Sequence, residues 1–305
     1  MKMKKLVAVL AVVGMTGVMM AGCGSSSAAA NTDSDAASQD QASDWDSSND
    51  ISIVSREDGS GTRGAFIELF GIEEKQGDQK VDMTTEDAQI TNNTSVMLTT
   101  VAKDDYAIGY VSLGSLDDSV KALKIDGAEA TEENIKDGSY KVSRPFNIAT
   151  KGDPTNEVAK DFIDYILSKD GQQVISDNGY ISNDDAADYA GTAPSGKCVV
   201  GGSSSVSPVM EKLIEAYKKV NPNAEIELQT SDSTAGMTGA MEGTCDIGMA
   251  SRELKDSESA TLTATPIALD GIAVIVNPQN PTDDMSTEDI KDIFTGTKTM
   301  WSEIA

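Results

Sequence analysis

Residues 51–64, ISIVSREDGSGTRG, constrain the fold most strongly because they join a predicted strand, a tight turn and the start of a helix. The strand is apolar and β-branched, and the helical pattern begins at Ala65, after Ser60, Gly61 and Thr62. Hydroxyls and unpaired backbone N–H groups at a helix N-terminus favour an anion. The alternative interpretation is an ordinary capped helix that follows a strand.

Two charged residues flank this turn. Arg56 carries a planar guanidinium, which suits a tetrahedral oxyanion. Asp58 is near enough in sequence to hold that guanidinium or to accept a proton. The turn therefore predicts an oxyanion site, with a surface arginine as the alternative.

Hydroxyl-rich turns recur later in the chain. Residues 201–205 and 231–234 each lie between a predicted strand and a predicted helix, and Ser251 follows the predicted strand 246–250. α/β folds place ligands at the carboxyl ends of strands. We therefore expect several of these helix ends to converge on one anion.

A weak sequence similarity within the chain, which we call the internal echo, accompanies these turns. Residues 246–251, DIGMAS, align with residues 107–112, AIGYVS, and each segment follows a helix that begins with a hydroxyl residue, at Ser233 and at Thr94. Two similar α/β lobes would produce this echo. Chance similarity is the alternative.

Charge and composition exclude several functions. The 305 residues include 50 acidic and 24 basic residues, a net charge of −26, and no histidine. This balance argues against nucleic acid as a partner, which requires basic patches. The absence of histidine removes histidine triads and histidine metal sites. We expect no metal and no cofactor.

The N-terminus predicts export. Residues 1–22 combine lysines with an apolar run, which is typical of a signal peptide. Met20-Ala21-Gly22-Cys23 resembles a lipobox, so we expect lipidation of Cys23 and a membrane anchor; an ordinary secretory signal is the alternative. Residues 23–50 are polar, which predicts a flexible tether that includes Trp45.

Long motifs carry a family resemblance. The segments GGSSSVSPVMEKLIEAY, QTSDSTAGMTGAMEGTCDIGMASRELK, IALDGIAVIVNPQNP, IKDIFTG and ISIVSREDGSGTR resemble the phosphate-binding protein of bacterial phosphate ABC transporters. The resemblance extends over nearly all of residues 51–305. In the family, however, the GSSS segment precedes SREDGSGTR, whereas here it follows. The order predicts a circular permutation, with residues 183–197 as the linker; a gene-model artefact or a fragment of a tandem duplicate is the alternative.

The resemblance implies an α/β, two-lobed type II periplasmic-binding-protein fold. After permutation, one lobe is split into residues 51–144 and 271–305, and residues 145–270 form a continuous lobe. Residues 141–148 and 265–271 would form the hinge. Trp301 is expected in the core.

The resemblance also implies a ligand set. Carried over by position, the phosphate-binding residues would be Arg56, Asp58, Ser60, Gly61, Thr62, Ser204, Ser205, Ser233 and Ser251. Some relatives have an aspartate where this chain has Ser251, and that aspartate accepts the proton of phosphate and excludes sulfate. Asp58 or Ser251 would accept the proton here.

The implied function is extracytoplasmic capture of inorganic phosphate by a monomer that delivers it to an ABC-transporter permease. The same fold binding sulfate, molybdate, arsenate or a phosphoester is the first alternative. A secreted phosphatase with Ser60 or Ser204 as nucleophile is a weaker one, because no activating base is evident. Cys198 and Cys245 start strands that the implied fold places side by side, so they are either a disulfide or two buried thiols.

Overall fold

The computed structural model of the protein describes residues 45–77, 79–183 and 185–304. Its strands are, in chain order, β1 (Ser52–Arg56), β2 (Glu73–Gln76), β3 (Gln79–Asp82), β4 (Gln89–Thr91), β5 (Ala107–Ser112), β6 (Lys121–Ala122), β7 (Lys124–Ile125), β8 (Ser143–Thr150), β9 (Gly196–Ser203), β10 (Ala224–Ser231), β11 (Ile247–Ala250), β12 (Thr263–Val276) and β13 (Asp284–Met285). Its α-helices are α1 (Gly61–Leu69), α2 (Thr94–Lys103), α3 (Glu132–Lys136), α4 (Glu157–Ile166), α5 (Lys169–Asp177), α6 (Ser207–Val220), α7 (Ser233–Glu242), α8 (Asp256–Ser259) and α9 (Thr287–Phe294).

One mixed sheet organises these elements, in the order β10-β9-β11-β8-β12-β5-β1-β4, with β6 also beside β12. β9 pairs in parallel with β10 and β11, and β1 pairs in parallel with β4 and β5. The antiparallel strands β8 and β12 lie between these groups. We call the two parallel groups, with the helices and loops that pack on them, the β9 half and the β1 half. The alternation of strands and helices confirms the α/β class.

Each half has its own hydrophobic core. The core of the β1 half draws on residues 51–142 and 272–301, with Ile181 added, and that of the β9 half draws on residues 146–268. Phe66 stacks on Tyr110 in the first core with ring centroids 3.9 Å apart, and Phe162 packs on Tyr217 in the second at 4.9 Å. The lobe and hinge boundaries expected from the sequence stay a prediction.

Helix starts in the structure follow the hydroxyl and amide residues of the sequence. The side chains of Ser60, Asn93 and Asp232 accept hydrogen bonds from the first turns of α1, α2 and α7. These caps fix where each helix begins. The first N–H groups of α1 and α7 consequently lie at the carboxyl ends of β1 and β10 and have no acceptor inside their helices.

Two glycines allow α7 to approach the turn after β9. Gly202 has a φ of +133°, and a Cβ added there would lie 2.4 Å from the Met249 carbonyl oxygen. A Cβ at Gly236 would lie 2.6 Å from the Gly202 Cα. Only glycine at both positions permits this backbone contact, which brings the start of α7 beside Ser203–Ser205.

One local expectation was wrong, and one polar stretch is more regular than its composition indicates. In residues 71–89, β2 and β3 form an antiparallel pair. Trp45 was expected in the tether, but its ring lies 4.7 Å from that of Tyr106 and 5.6 Å from that of Trp301. Residues 45–50 therefore belong to the folded body, because three aromatic rings bury one another. Trp301 is buried in the core, as expected.

The predicted linker packs against the β9 half. Within it, the Ala187 carbonyl accepts from the Lys169 N–H at 2.7 Å, and the Tyr189 hydroxyl donates to Asp161 at 2.7 Å. Asp161 also accepts from the Thr192 N–H and the Tyr217 hydroxyl. One carboxylate thus fastens this segment to both α4 and α6.

Three further expectations concern membrane contact and cysteines. Among the described residues, no helix has the length and apolar character needed to cross a membrane. The expected signal peptide and Cys23 lie outside the described residues, as does the expected tether up to residue 44. Cys198 and Cys245 are free and buried, so the structure has two thiols where the sequence left a disulfide open. Burial raises the pKa of both thiols.

Candidate functional site

The start of α1 forms the first wall of the candidate site. Ser60 caps the helix, and its Oγ accepts from the Arg63 N–H at 3.3 Å. Gly61 and Thr62 are the first helical residues and both are buried. Their N–H groups have no acceptor inside the helix. Ser60, Gly61 and Thr62 therefore stand together as the sequence predicted.

Arg56 enters the site from the end of β1. Its side chain is only 3% exposed, and its Nη2 donates to the Ser204 Oγ at 3.0 Å. Its Nε and Nη2 donate to the two carboxylate oxygens of Glu57 at 2.8 and 2.7 Å. Glu57, and not Asp58, holds this guanidinium.

Asp58 does not join the site. Its side chain is 99% exposed and pairs with the Arg63 Nη1 at 3.1 Å. The turn between β1 and α1 directs this carboxylate into solvent, where it contacts none of the buried serines. The structure therefore does not bring Asp58 together with the other expected ligands.

The turn after β9 forms the second wall. Ser204 and Ser205 are buried, and the Ser205 Oγ lies 2.7 Å from the Thr62 Oγ1. The same Ser205 Oγ lies 3.5 Å from the Thr94 Oγ1 at the start of α2. The Ser205 N–H donates to the Ser203 Oγ at 3.3 Å. Hydroxyls from both halves of the sheet thus meet directly.

Ser233 and Ser251 complete the enclosure. The Ser251 N–H donates to the Ser233 Oγ at 3.1 Å, and the Ser203 Oγ donates to the Ser251 Oγ at 3.0 Å. A Cβ added to Gly61 would lie 2.4 Å from the Ser233 Oγ and 2.7 Å from the Ser251 Oγ. The α1 backbone can therefore approach these serines only because residue 61 is glycine.

We call these buried side chains the hydroxyl cluster. Its members are Thr62, Thr94, Ser203, Ser204, Ser205, Ser233 and Ser251. The cluster brings together five of the nine expected ligands, Arg56 donates into it, and Ser60 and Gly61 border it. Such a set of neutral donors and one guanidinium can enclose a small oxyanion without a metal.

Sequence reasoning missed four residues. Thr94 and Ser203 belong to the cluster, and Thr94 had a signal, because it is another hydroxyl residue at a helix start. Arg144 and Asp270 had none. The Arg144 Nη2 donates to the Thr62 Oγ1 at 2.9 Å, and its Nη1 donates to the Asp270 carboxylate at 2.6 Å.

Burial governs the electrostatics of this ion pair. The Arg144 side chain is 3% exposed and the Asp270 side chain is 0% exposed. Burial raises the pKa of the Asp270 carboxyl, and the Arg144 guanidinium opposes that rise. Burial likewise lowers the pKa of Arg144, and the Asp270 charge opposes that fall. Each charge is therefore maintained by the other.

The described residues offer neither a metal centre nor an acid–base pair at the cluster. They contain no group of three or more metal-ligating side chains in one place. The carboxylates of Glu57 and Asp270 are held by Arg56 and Arg144, the two arginines that donate to the cluster. The arrangement thus suits binding better than proton transfer.

Comparison with known proteins identifies the family of the chain. A family model described as a PBP superfamily domain matches residues 10–170 and 187–305. The phosphate-binding protein PstS 2 of Streptococcus agalactiae serotype V is 56% identical over 308 residues, which cover 100% of both chains. Phosphate-binding protein PstS 2 of Streptococcus pneumoniae serotype 4 is 45% identical over 305 residues, again 100% of both.

A solved structure indicates the same family. The crystal structure of a phosphate-binding protein of a phosphate ABC transporter from Streptococcus pneumoniae TIGR4 superposes with a TM-score of 0.68 and 48% identity. The match covers 84% of this chain and 100% of that one. Because the sequence matches run end to end, those relatives share this order of segments. The chain belongs to the PBP superfamily and, within it, to the family of bacterial phosphate-binding proteins PstS.

Proposed function

We propose that the protein binds inorganic phosphate outside the cytoplasm and delivers it to the permease of an ABC transporter. The observation that carries this proposal is the hydroxyl cluster, in which buried donors from both halves and Arg56 converge. The names of the full-length relatives support the choice of ligand and of transport system. Fixed donors that close around a small anion can replace its hydration shell.

The test is calorimetric titration of phosphate into a chain that begins at Gly24, which keeps every described residue. We expect one phosphate per chain with a dissociation constant in the micromolar range or below. Titration with sulfate and molybdate in parallel addresses the other oxyanions. Tighter binding of either anion than of phosphate would overturn the ligand assignment.

Ser251 is the proposed acceptor of the phosphate proton. The exposed Asp58 carboxylate pairs with Arg63, whereas the Ser251 Oγ lies inside the cluster and has lone pairs to offer. An unpaired buried proton costs about 1–3 kcal/mol. Ser251→Ala is therefore expected to weaken the binding of phosphate more than the binding of sulfate. An unchanged ratio of the two dissociation constants would contradict this assignment.

The protein is proposed to be a binding protein and not a phosphatase. The Ser60 Oγ accepts from the Arg63 N–H and the Ser204 Oγ accepts from Arg56, and among the described residues no carboxylate accepts from either hydroxyl. Hydrolysis of a chromogenic phosphoester should stay at the rate of the buffer. Turnover that disappears in Ser60→Ala or Ser204→Ala would contradict this.

A lipid anchor at Cys23 completes the proposed setting. The small residues before Cys23 and the apolar run before them support it. Cys23→Ser is expected to release the protein from membranes into the medium. Light scattering is expected to show that the released protein is a monomer. Membrane association that survives this substitution would point to another form of attachment.

A further inference from the structure

Arg144 is the residue that touches both walls of the site from the strands between them. Its Nε donates to the Ser251 carbonyl oxygen at 2.7 Å, in the β9 half. Its Nη2 donates to the Thr62 Oγ1 at 2.9 Å, in the β1 half. Its Nη1 donates to Asp270, which is its direct partner in the pairing of β8 with β12. One rigid guanidinium thus connects the two halves at the cluster.

The bond to Thr62 restricts the direction of a hydroxyl proton. A threonine hydroxyl has one proton and two lone pairs, and a guanidinium can only donate. Thr62 must therefore accept from Arg144, and its own proton must turn to another group. The Ser205 Oγ lies 2.7 Å away within the cluster. Arg144 thereby makes Thr62 a donor toward the other hydroxyls of the cluster.

Asp270 neutralises the charge of the Arg144 guanidinium. It lies 2.6 Å from the Arg144 Nη1 and accepts weakly from the Gly114 N–H at 3.4 Å. The Arg144–Asp270 pair therefore contributes hydrogen-bond direction at the cluster without adding a formal charge. Arg56 remains the guanidinium that donates to a serine of the cluster.

We propose that Arg144, held by Asp270, is a positioning residue that aims the Thr62 hydroxyl at the bound anion, while its Nε stays bonded to the Ser251 carbonyl oxygen. This inference rests on the proposed function. Arg144 acts through Thr62, so its contribution to phosphate affinity depends on the Thr62 hydroxyl being present.

The test is a double-mutant cycle that measures phosphate affinity. Arg144→Lys keeps the charge opposite Asp270 but lacks the planar fork. Arg144→Gln combined with Asp270→Asn removes both charges, so no ion stays buried without a partner. Each variant is titrated with phosphate alone and in the Thr62→Val background, where the hydroxyl is missing.

We expect each Arg144 variant to weaken phosphate binding by about tenfold to a hundredfold, which is the value of one or two charge-assisted hydrogen bonds. In the Thr62→Val background the same changes should weaken binding by less than about threefold. Such non-additivity is the signature of residues that act on each other. A purely structural role would lower the unfolding midpoint and leave the two losses additive.

Lys298→Gln with Asp289→Asn is the matched control, because it removes another ion pair of the β1 half that has no bond to the cluster. It should leave the phosphate affinity unchanged. Wild-type affinity in the Arg144 variants, or additive losses with Thr62→Val, would overturn the inference while the proposed function stands. No phosphate binding by the wild-type protein would overturn both.

Discussion

The two halves of the molecule carry the same tripeptide at the end of a strand and use it differently. Ser-Arg-Glu occupies residues 55–57 at the end of β1 and residues 251–253 after β11. Arg56 shares its guanidinium between Glu57 and the Ser204 hydroxyl in the cleft. Arg252 directs two nitrogens to the Glu258 carboxylate at 2.7 and 2.8 Å.

The comparison teaches where charge enters the site. Apart from Arg144 on the central strand β8, the guanidinium that reaches the cluster belongs to the β1 half. The β9 half supplies serine hydroxyls and keeps Arg252 in an ion pair with Glu258. The internal echo in the sequence fits this view. Gly109 of β5 lies against Met97 of the preceding helix, and Gly248 of β11 lies against Met237 in the same way. Similar scaffolds thus present different chemistry.

The largest expected effect is a loss of folding stability when Arg252 is replaced, which distinguishes Arg252 from Arg56. Arg252→Ala leaves the buried Glu258 carboxylate without its partner. Burial alone would raise the pKa of Glu258, but the bonds from Arg252 and the Lys255 N–H hold it below its usual range. Losing a partner of a buried pair costs about 3–5 kcal/mol. Urea unfolding should show this loss, with phosphate affinity changed less than about threefold.

Arg56→Ala is expected to do the opposite, with a large loss of phosphate affinity and a smaller loss of stability. It removes the guanidinium from the cluster and leaves the Glu57 carboxylate to repel an anion. Phosphate affinity should fall by about a hundredfold or more, since a charge-assisted bond is lost and a repulsion is gained. Calorimetry measures this, with Arg252→Ala as the matched arginine control. Equal losses of affinity in both variants would refute the division of roles.

Glycine substitutions sharpen the comparison further. Gly61→Ala places a methyl group against the Ser233 and Ser251 hydroxyls of the β9 half. The start of α1 can then no longer approach these serines, while the helix itself remains intact. Phosphate affinity should fall by about tenfold with little change in the unfolding midpoint, because alanine favours the helix. Gly236→Ala, its counterpart in the β9 half, meets the Gly202 backbone and should lower the unfolding midpoint instead. Titration and urea unfolding of both variants test this contrast.

The smallest expected effect concerns the predicted linker of the β9 half. Asp161→Asn weakens the bonds from Tyr189, Tyr217 and the Thr192 N–H and should cost about 1 kcal/mol. Burial alone would raise the pKa of Asp161, but these bonds lower it below its usual 3.8. The stabilisation is therefore present above about pH 4 and lost as the pH falls through the lowered value. Unfolding at pH 7 and pH 3 should differ more in wild type than in the variant.

Local patterns predicted the parts of the site that local structure builds. Ser60, Ser204 and Ser233 follow strands and begin or precede helices, so sequence alone placed them at strand ends. The same information could not choose between Glu57 and Asp58 as the partner of Arg56. That choice depends on how the turn after β1 directs successive side chains, and adjacent residues there point in different directions.

Contacts distant in sequence left no local signal. Arg144 and Asp270 are 126 residues apart and meet only through the register of β8 with β12. Trp45 lies in a polar stretch, and it packs on the rings of Tyr106 and Trp301, which are distant in sequence. The circular permutation stays a prediction. The end-to-end matches with relatives favour a functional order of segments over an artefact.

The central claim is that both halves contribute donors to one anion. Amide NMR during a phosphate titration tests it directly, because Gly61 and Thr62 report on the β1 half and Ser204, Ser205 and Ser233 on the β9 half. We predict that all five amides shift with the same dissociation constant at one equivalent of phosphate. Shifts confined to one half, or different constants for the two halves, would contradict a shared site.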